Sequence, residues 1–130
     1  MLRQVHPVLF VDGRPTSALF KPRPADKGLV SVHQEALVTA QDAHAAHTAA
    51  GLGSIGVVGV LVSECDDPRV ALQVLEAPLS VTDDPPEVRD DPAHAVIDFR
   101  GLSGNACEKK SRELSRICWS RGFCYQPPTT

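Results

Sequence analysis

At 130 residues, with 42% hydrophobic and 22% charged residues and a formal net charge of −3, the chain is sized for one domain, 1–130, that buries a core without metal or disulfide staples. The most apolar stretch, Ala49 to Val62, carries four glycines and is shorter than a membrane span. The amino-terminal residues lack the long apolar run of a secretory signal, so the expectation is a soluble cytoplasmic protein with no membrane attachment.

In chain order, Val8 to Val11 followed by Asp12-Gly13 reads as a strand entering a turn, with Ser17 to Phe20 as the returning partner of a β-hairpin. Lys21 to Gly28, with two prolines, is a loop, and Leu29 to Val32 is a short strand. Thr39 fits a helix cap with Asp42 three residues on. The alanine-rich run then makes a helix over Ala40 to Ala50, stopped by Gly51, with Ala43, Ala46, His47 and Ala50 inward. Ile55 to Val62, eight residues of which six are Ile, Val or Leu, reads as a buried strand ending at Ser63, Glu64 and Cys65.

From Ser63 to Ala93 the chain is acidic and proline-rich, an excursion in which only Leu72 to Leu75 has a packed look. His94 to Phe99 is a second strand, which alternation divides into Ala95, Ile97 and Phe99 facing the core and His94, Val96 and Asp98 facing away. A second helix follows, with Asn105 as cap, Glu108 at the capping-box position, an apolar stripe of Cys107, Leu114, Ile117 and Cys118, and Gly122 as stop. Phe123 to Tyr125 completes the strands before a tail at 126–130. The sum is an α+β fold with a mostly antiparallel sheet in β-α-β-β-α-β, ferredoxin-like order, two helices on one face, and an N-terminal β-hairpin.

Charge is unevenly placed. Residues 64–98 hold ten acidic and two basic side chains, whereas 100–121 hold six basic and two acidic ones. An acidic excursion and a basic second helix can each meet a partner of opposite sign. The plainer reading makes Lys109, Lys110, Arg112 and Arg116 the solvated face of an amphipathic helix. One Trp and one Tyr give little stacking surface for nucleic acid.

Candidate chemistry is sparse. His44 and His47 lie three apart on the first helix, a spacing that a metal accepts when a third ligand approaches; without further matched ligands, exposed histidines are the simpler reading. His94 and Asp98 share a strand face at roughly 13 Å, too far for a hydrogen bond. His94 would instead meet Glu64 at the end of a neighbouring strand, which orients the ring for acid or base work, or else it caps the strand entrance and bonds a loop carbonyl. Lys21 and Arg23, between prolines, either hold an anionic ligand or simply sit on a stiffened connection. Cys65, Cys107, Cys118 and Cys124 read as thiols, and the absence of a close cysteine pair implies no zinc or other cofactor. Cys65 beside Glu64 and two aspartates is a poor nucleophile.

Two functions follow as expectations. The first is a small interaction module that binds a protein partner or self-associates through its charged surfaces. The second is a small hydrolase or transferase for a phosphorylated or nucleotide-like ligand, with His94 and His47 as acid and base and with Lys21, Arg23, Glu64 and Asp98 around the ligand.

Overall fold

The computed structural model describes residues 1–87 and 89–128; residue 88 of the excursion and residues 129 and 130 of the expected tail lie outside the described residues. In chain order the elements are β1 (Leu2–Gln4), β2 (Phe10–Val11), β3 (Arg14–Pro15), β4 (Leu29–His33), α1 (Ala40–Ala49), β5 (Val57–Gly59), α2 (Val62–Asp66), β6 (Gln73–Glu76), β7 (His94–Asp98) and α3 (Gly104–Trp119). The protein is α+β: a five-stranded antiparallel sheet in the order β5-β1-β4-β7-β6, a separate two-stranded sheet of β2 and β3, and three α-helices. None of the described helices is long and apolar enough to cross a membrane.

This strand order differs from the ferredoxin-like expectation. The reason is β1, whose three residues give too little pattern to be read from sequence. Leu2 pairs with His33 of β4 on one side and Gly59 of β5 on the other. β1 and β4 therefore stand between β5 and β7, which share a sheet without touching. Phe123 to Tyr125 contributes one isolated bridge, Val57 to Tyr125, and no strand.

Alternation along the strands sorts the residues as expected for β7: Ala95, Ile97 and Phe99 join Val30, Val32, Val58 and Val60 in the main core. α3 closes that core with Cys107, Leu114 and Cys118, all buried. α1 lies on the other side. Its Ala43 packs with Leu2 and Val57, whose side chains leave the sheet opposite to Val58, so the two long helices do not share a face. The buried positions of α1 are Ala43 and His44, while Ala46 and Ala50 are exposed; so alanine-rich a helix can touch the sheet through few residues.

Several boundaries move for local reasons. Asp12 and Gly13 both take positive φ, 54° and 76°, the turn that joins two strands through two residues. Arg14–Pro15 is thus the partner of Phe10–Val11, not Ser17 to Phe20. The latter forms turns that drop Leu19 and Phe20 fully into the core. Ser111 of α3 holds this segment: its hydroxyl donates to the Ser17 carbonyl at 2.6 Å and accepts from the Phe20 N–H at 3.0 Å. Ser111→Ala is expected to cost roughly 1–3 kcal/mol by orphaning a buried N–H, read as a lowered urea midpoint with an unchanged slope.

The eight-residue strand shortens to Val57–Gly59, and its tail becomes α2. There the Glu64 carboxylate accepts from Leu61 N–H at 2.8 Å, and Cys65 is the residue turned fully inward while Leu61 and Val62 are exposed. A short apolar run does not by itself distinguish strand from helix. In α3 the cap is Ser103, whose side chain accepts from Ala106 N–H at 3.1 Å, two residues before the expected Asn105.

Candidate acid–base site and basic cleft

The pairing of β4 with β7 sets His33 directly opposite His94. Their ring centroids are 5.8 Å apart, edge to face at 80°. Each imidazole has its own anchor. His33 Nε2–H donates to the Asp91 carboxylate at 2.7 Å, with both side chains 14% exposed. Asp91 is itself pinned, exchanging backbone hydrogen bonds of 2.9 and 3.1 Å with Leu79.

His94 Nδ1 lies 2.8 Å from the Ala77 carbonyl oxygen. A carbonyl only accepts, so Nδ1 carries the proton. The Nε2 lone pair then faces Ser31 Oγ at 3.0 Å and accepts its hydroxyl proton. The ring is fixed in the tautomer that a general base requires, with its basic nitrogen already against an O–H group.

Ser31 is one hydrogen bond removed from a cleft of about 700 Å3 that neither it, His33 nor His94 lines; the lining includes Arg3, Gln4, His6, Lys21, Arg23 and His47. While its hydroxyl meets His94, its carbonyl accepts from Arg3 Nη1 at 2.9 Å. Arg3 Nε adds a bond to the Leu19 carbonyl at 3.1 Å, and burial pushes this guanidinium down to about 10. His47 donates from Nε2 to the Gly53 carbonyl at 3.3 Å. Burial above all lowers its pKa, and the nearby charges of Arg89, His33 and His44 act in the same direction.

Of the residues singled out from sequence, Lys21, Arg23 and His47 meet in this cleft. Arg23 is partly committed to Asp26, whose carboxylate takes its side chain at 3.2 Å and its backbone N–H at 2.7 Å. His94 stands with Ser31 and Ala77, the loop-carbonyl alternative, and not with Glu64. Because β1 and β4 intervene between β5 and β7, Glu64 turns to Arg121 at 2.6 Å; the hydrogen bond from Arg121 leads the causes that lower its pKa. Asp98 is held by Arg100 at 3.0 Å and lowered likewise. The expected meeting of His94 with Glu64 does not form.

His44 and His47 are both used on the loop after α1, His44 Nε2 bonding the Ser54 carbonyl at 3.1 Å and its ring lying 5.4 Å from Tyr125. Among the described residues no group of three or more His, Cys, Asp or Glu side chains converges as metal ligands do. All four cysteines are free. Burial pushes Cys65 up to about 11 and Cys118 up to about 12, so both remain thiols near neutral pH.

Sequence reasoning missed His33, Asp91, Ser31, Arg3 and His6. Two patterns would have found the first three: Ser31 and His33 sit two apart on a strand and so share a face, and Asp91 precedes His94 by three across a strand entrance. No such local signal points to Arg3. Protein-family models, curated proteins and solved structures yield no match to this chain, so the site is read from its own residues.

Proposed function

We propose that the protein is a small hydrolase or transferase acting on a phosphorylated or nucleotide-like ligand, with His94 and His33 as its acid–base pair. The observation that carries this reading is two adjacent imidazoles held by unlike partners, a carbonyl for His94 and a carboxylate for His33. Breaking a P–O bond requires that an attacking O–H lose a proton and that the departing oxygen gain one. His94 Nε2 accepts the first proton, from a water or substrate hydroxyl standing where the Ser31 hydroxyl now rests. His33, carrying two protons, donates the second from Nδ1, while Asp91 keeps its Nε2–H and balances the imidazolium charge. Arg3 and Lys21 in the adjoining cleft supply positive charge toward the ligand's anionic oxygens.

His47, the partner expected for His94, serves here as a wall of the cleft, its Nε2–H occupied by Gly53. Release of p-nitrophenol from its phosphate mono- and diesters between pH 5 and 8 tests the reading. Phosphorus-directed turnover that vanishes in His94→Gln and His33→Gln variants supports it; no turnover of either ester removes it.

A partner-binding module is supported by a different feature, the groove of about 720 Å3 between the hairpin and α3, where Arg14, Arg112 and Trp119 are among the lining residues. Arg14 and Arg112 make no ion pair among the described residues. Elsewhere the uneven charge is spent internally: Arg116 pairs with Glu113, Arg121 with Glu64, and Asp83 and Asp90 bond backbone N–H groups of their own loop. Self-association through the groove predicts a dimer by light scattering that dissociates in Arg112→Glu; a monomer at all protein concentrations argues against it.

A further inference from the structure

The arginines of this chain divide by how their charge is met. Arg23, Arg69, Arg100, Arg116 and Arg121 each pair with a carboxylate. Arg14 and Arg112 are exposed to water. Arg3 and Arg89 are different: both are partly buried and bonded to neutral carbonyls, Arg89 to Ala46 and Arg3 at Nε and Nη1 to Leu19 and Ser31, with no ion pair to a carboxylate among the described residues, and of the two Arg3 lines a cleft. Two carbonyl bonds fix the plane of the Arg3 guanidinium; Asp26 acts on its charge from beyond ion-pair distance, and a partly buried charge with no direct ion pair gains from an anion that reaches it.

The surroundings narrow the choice of anion. Lys21, Arg23, His6 and His47 also line the cleft, and none of its lining residues is Asp or Glu. His6 Nδ1 accepts from Val8 N–H at 3.2 Å, so in the neutral ring the proton sits on Nε2 as a further donor. Val8 and Leu52, 71% and 52% exposed, form an apolar part of the same wall. A volume of about 700 Å3 is that of a small-molecule site.

We infer that this cleft is a binding site for the terminal phosphate of a small phosphate monoester, anchored by Arg3 with Lys21 and His6, its organic part lying against Val8 and Leu52. A dianionic phosphate matches a fixed guanidinium fork and a nearby ammonium, and it needs several donors around one centre. Arg23, already engaged by Asp26, plays the smaller part. The inference deepens the proposed function and rests on it: Ser31 bonds Arg3 through its carbonyl and His94 through its hydroxyl, while the histidine pair itself is not among the cleft's lining residues.

Titration of inorganic phosphate, and separately of adenosine 5′-monophosphate, into the isotopically labelled full chain tests this by NMR at the His6 and His47 rings and the Arg3 Nε–H. Saturable shifts at these groups are expected, with tighter binding for the nucleotide because only it reaches Val8 and Leu52. Arg3→Gln should weaken binding at least about tenfold, the loss of a charge-assisted bidentate contact. Lys21 is exposed and its side chain makes no hydrogen bond or ion pair among the described residues, so Lys21→Gln serves if the Arg3 variant unfolds, with a several-fold weakening expected. Phosphate that leaves these groups unmoved, or that binds Lys21→Gln and a folded Arg3→Gln as tightly as the parent protein, overturns the inference. His94→Gln should bind phosphate normally, so binding without turnover would sink the catalytic reading and leave this one standing.

Discussion

Replacing His94 by Gln is expected to lower turnover of a phosphate ester by about 10²- to 10⁴-fold, the usual contribution of one positioned acid or base, with KM nearly unchanged. Glutamine keeps a donor for the Ala77 carbonyl, which holds His94 Nδ1 at 2.8 Å, but it cannot take up a proton at Nε2. His33→Gln should lower turnover as well, since His33 is to give a proton while His94 receives one. If both substitutions leave the rate and its pH dependence unaltered, the pair is structural. His94 would then serve only to tie the Ala77 segment and β4 together. Both variants are expected to fold, because each ring lies on the sheet face opposite to the core built by Val30, Val32, Ala95 and Ile97.

Gly56→Ala is expected to be the most damaging single-methyl change for stability, about 1–3 kcal/mol, the cost of forcing extra volume into a packed site. A Cβ at this position would lie 2.7 and 2.8 Å from Phe123 ring carbons and 2.8 Å from the Tyr125 carbonyl oxygen. Neither neighbour yields easily. Phe123 packs against Phe10 and Trp119, with centroids 5.6 and 5.1 Å away, and the Tyr125 carbonyl receives Val57 N–H at 2.8 Å. Gly59→Ala is the control: its Cβ would press chiefly on the Cys124 sulfur at 3.0 Å, the end of a side chain able to turn away. Urea unfolding should show a clear loss for the first and a small one for the second. Equal effects would mean that the aromatic cluster is softer than its contacts indicate. The loss should also reach the cleft, because β5 carries β1 and β1 carries Arg3.

How far the sequence alone reaches can be seen residue by residue. Alternation in His94 to Phe99 put Ala95, Ile97 and Phe99 on the main core face, since a strand's period of two is written in the chain itself; Val96 on the opposite face is buried as well. The α3 stripe of Cys107, Leu114 and Cys118 was legible for the same reason, as was the Thr39 cap, whose side chain accepts from Asp42 N–H at 3.1 Å. The Asp12-Gly13 turn was legible too, although its return strand was placed a few residues late. Lys21 and Arg23, expected around a ligand with Glu64 and Asp98, and His47, expected to act with His94, line one cleft, whereas Glu64, Asp98 and His94 are not among its lining residues.

What the chain could not disclose by local pattern is which distant segments become neighbours. β1 has three residues, yet by entering between β5 and β4 it replaces the ferredoxin-like order, parts Glu64 from His94, and delivers Arg3 to the cleft. His33 and His94 are 61 positions apart in sequence and meet through the register of β4 with β7. Propensity, periodicity and capping act over a few residues and so settle element type. Strand order and register are settled by burial of the whole sheet, a sum over contacts far apart in the chain, and the candidate site exists at that level alone.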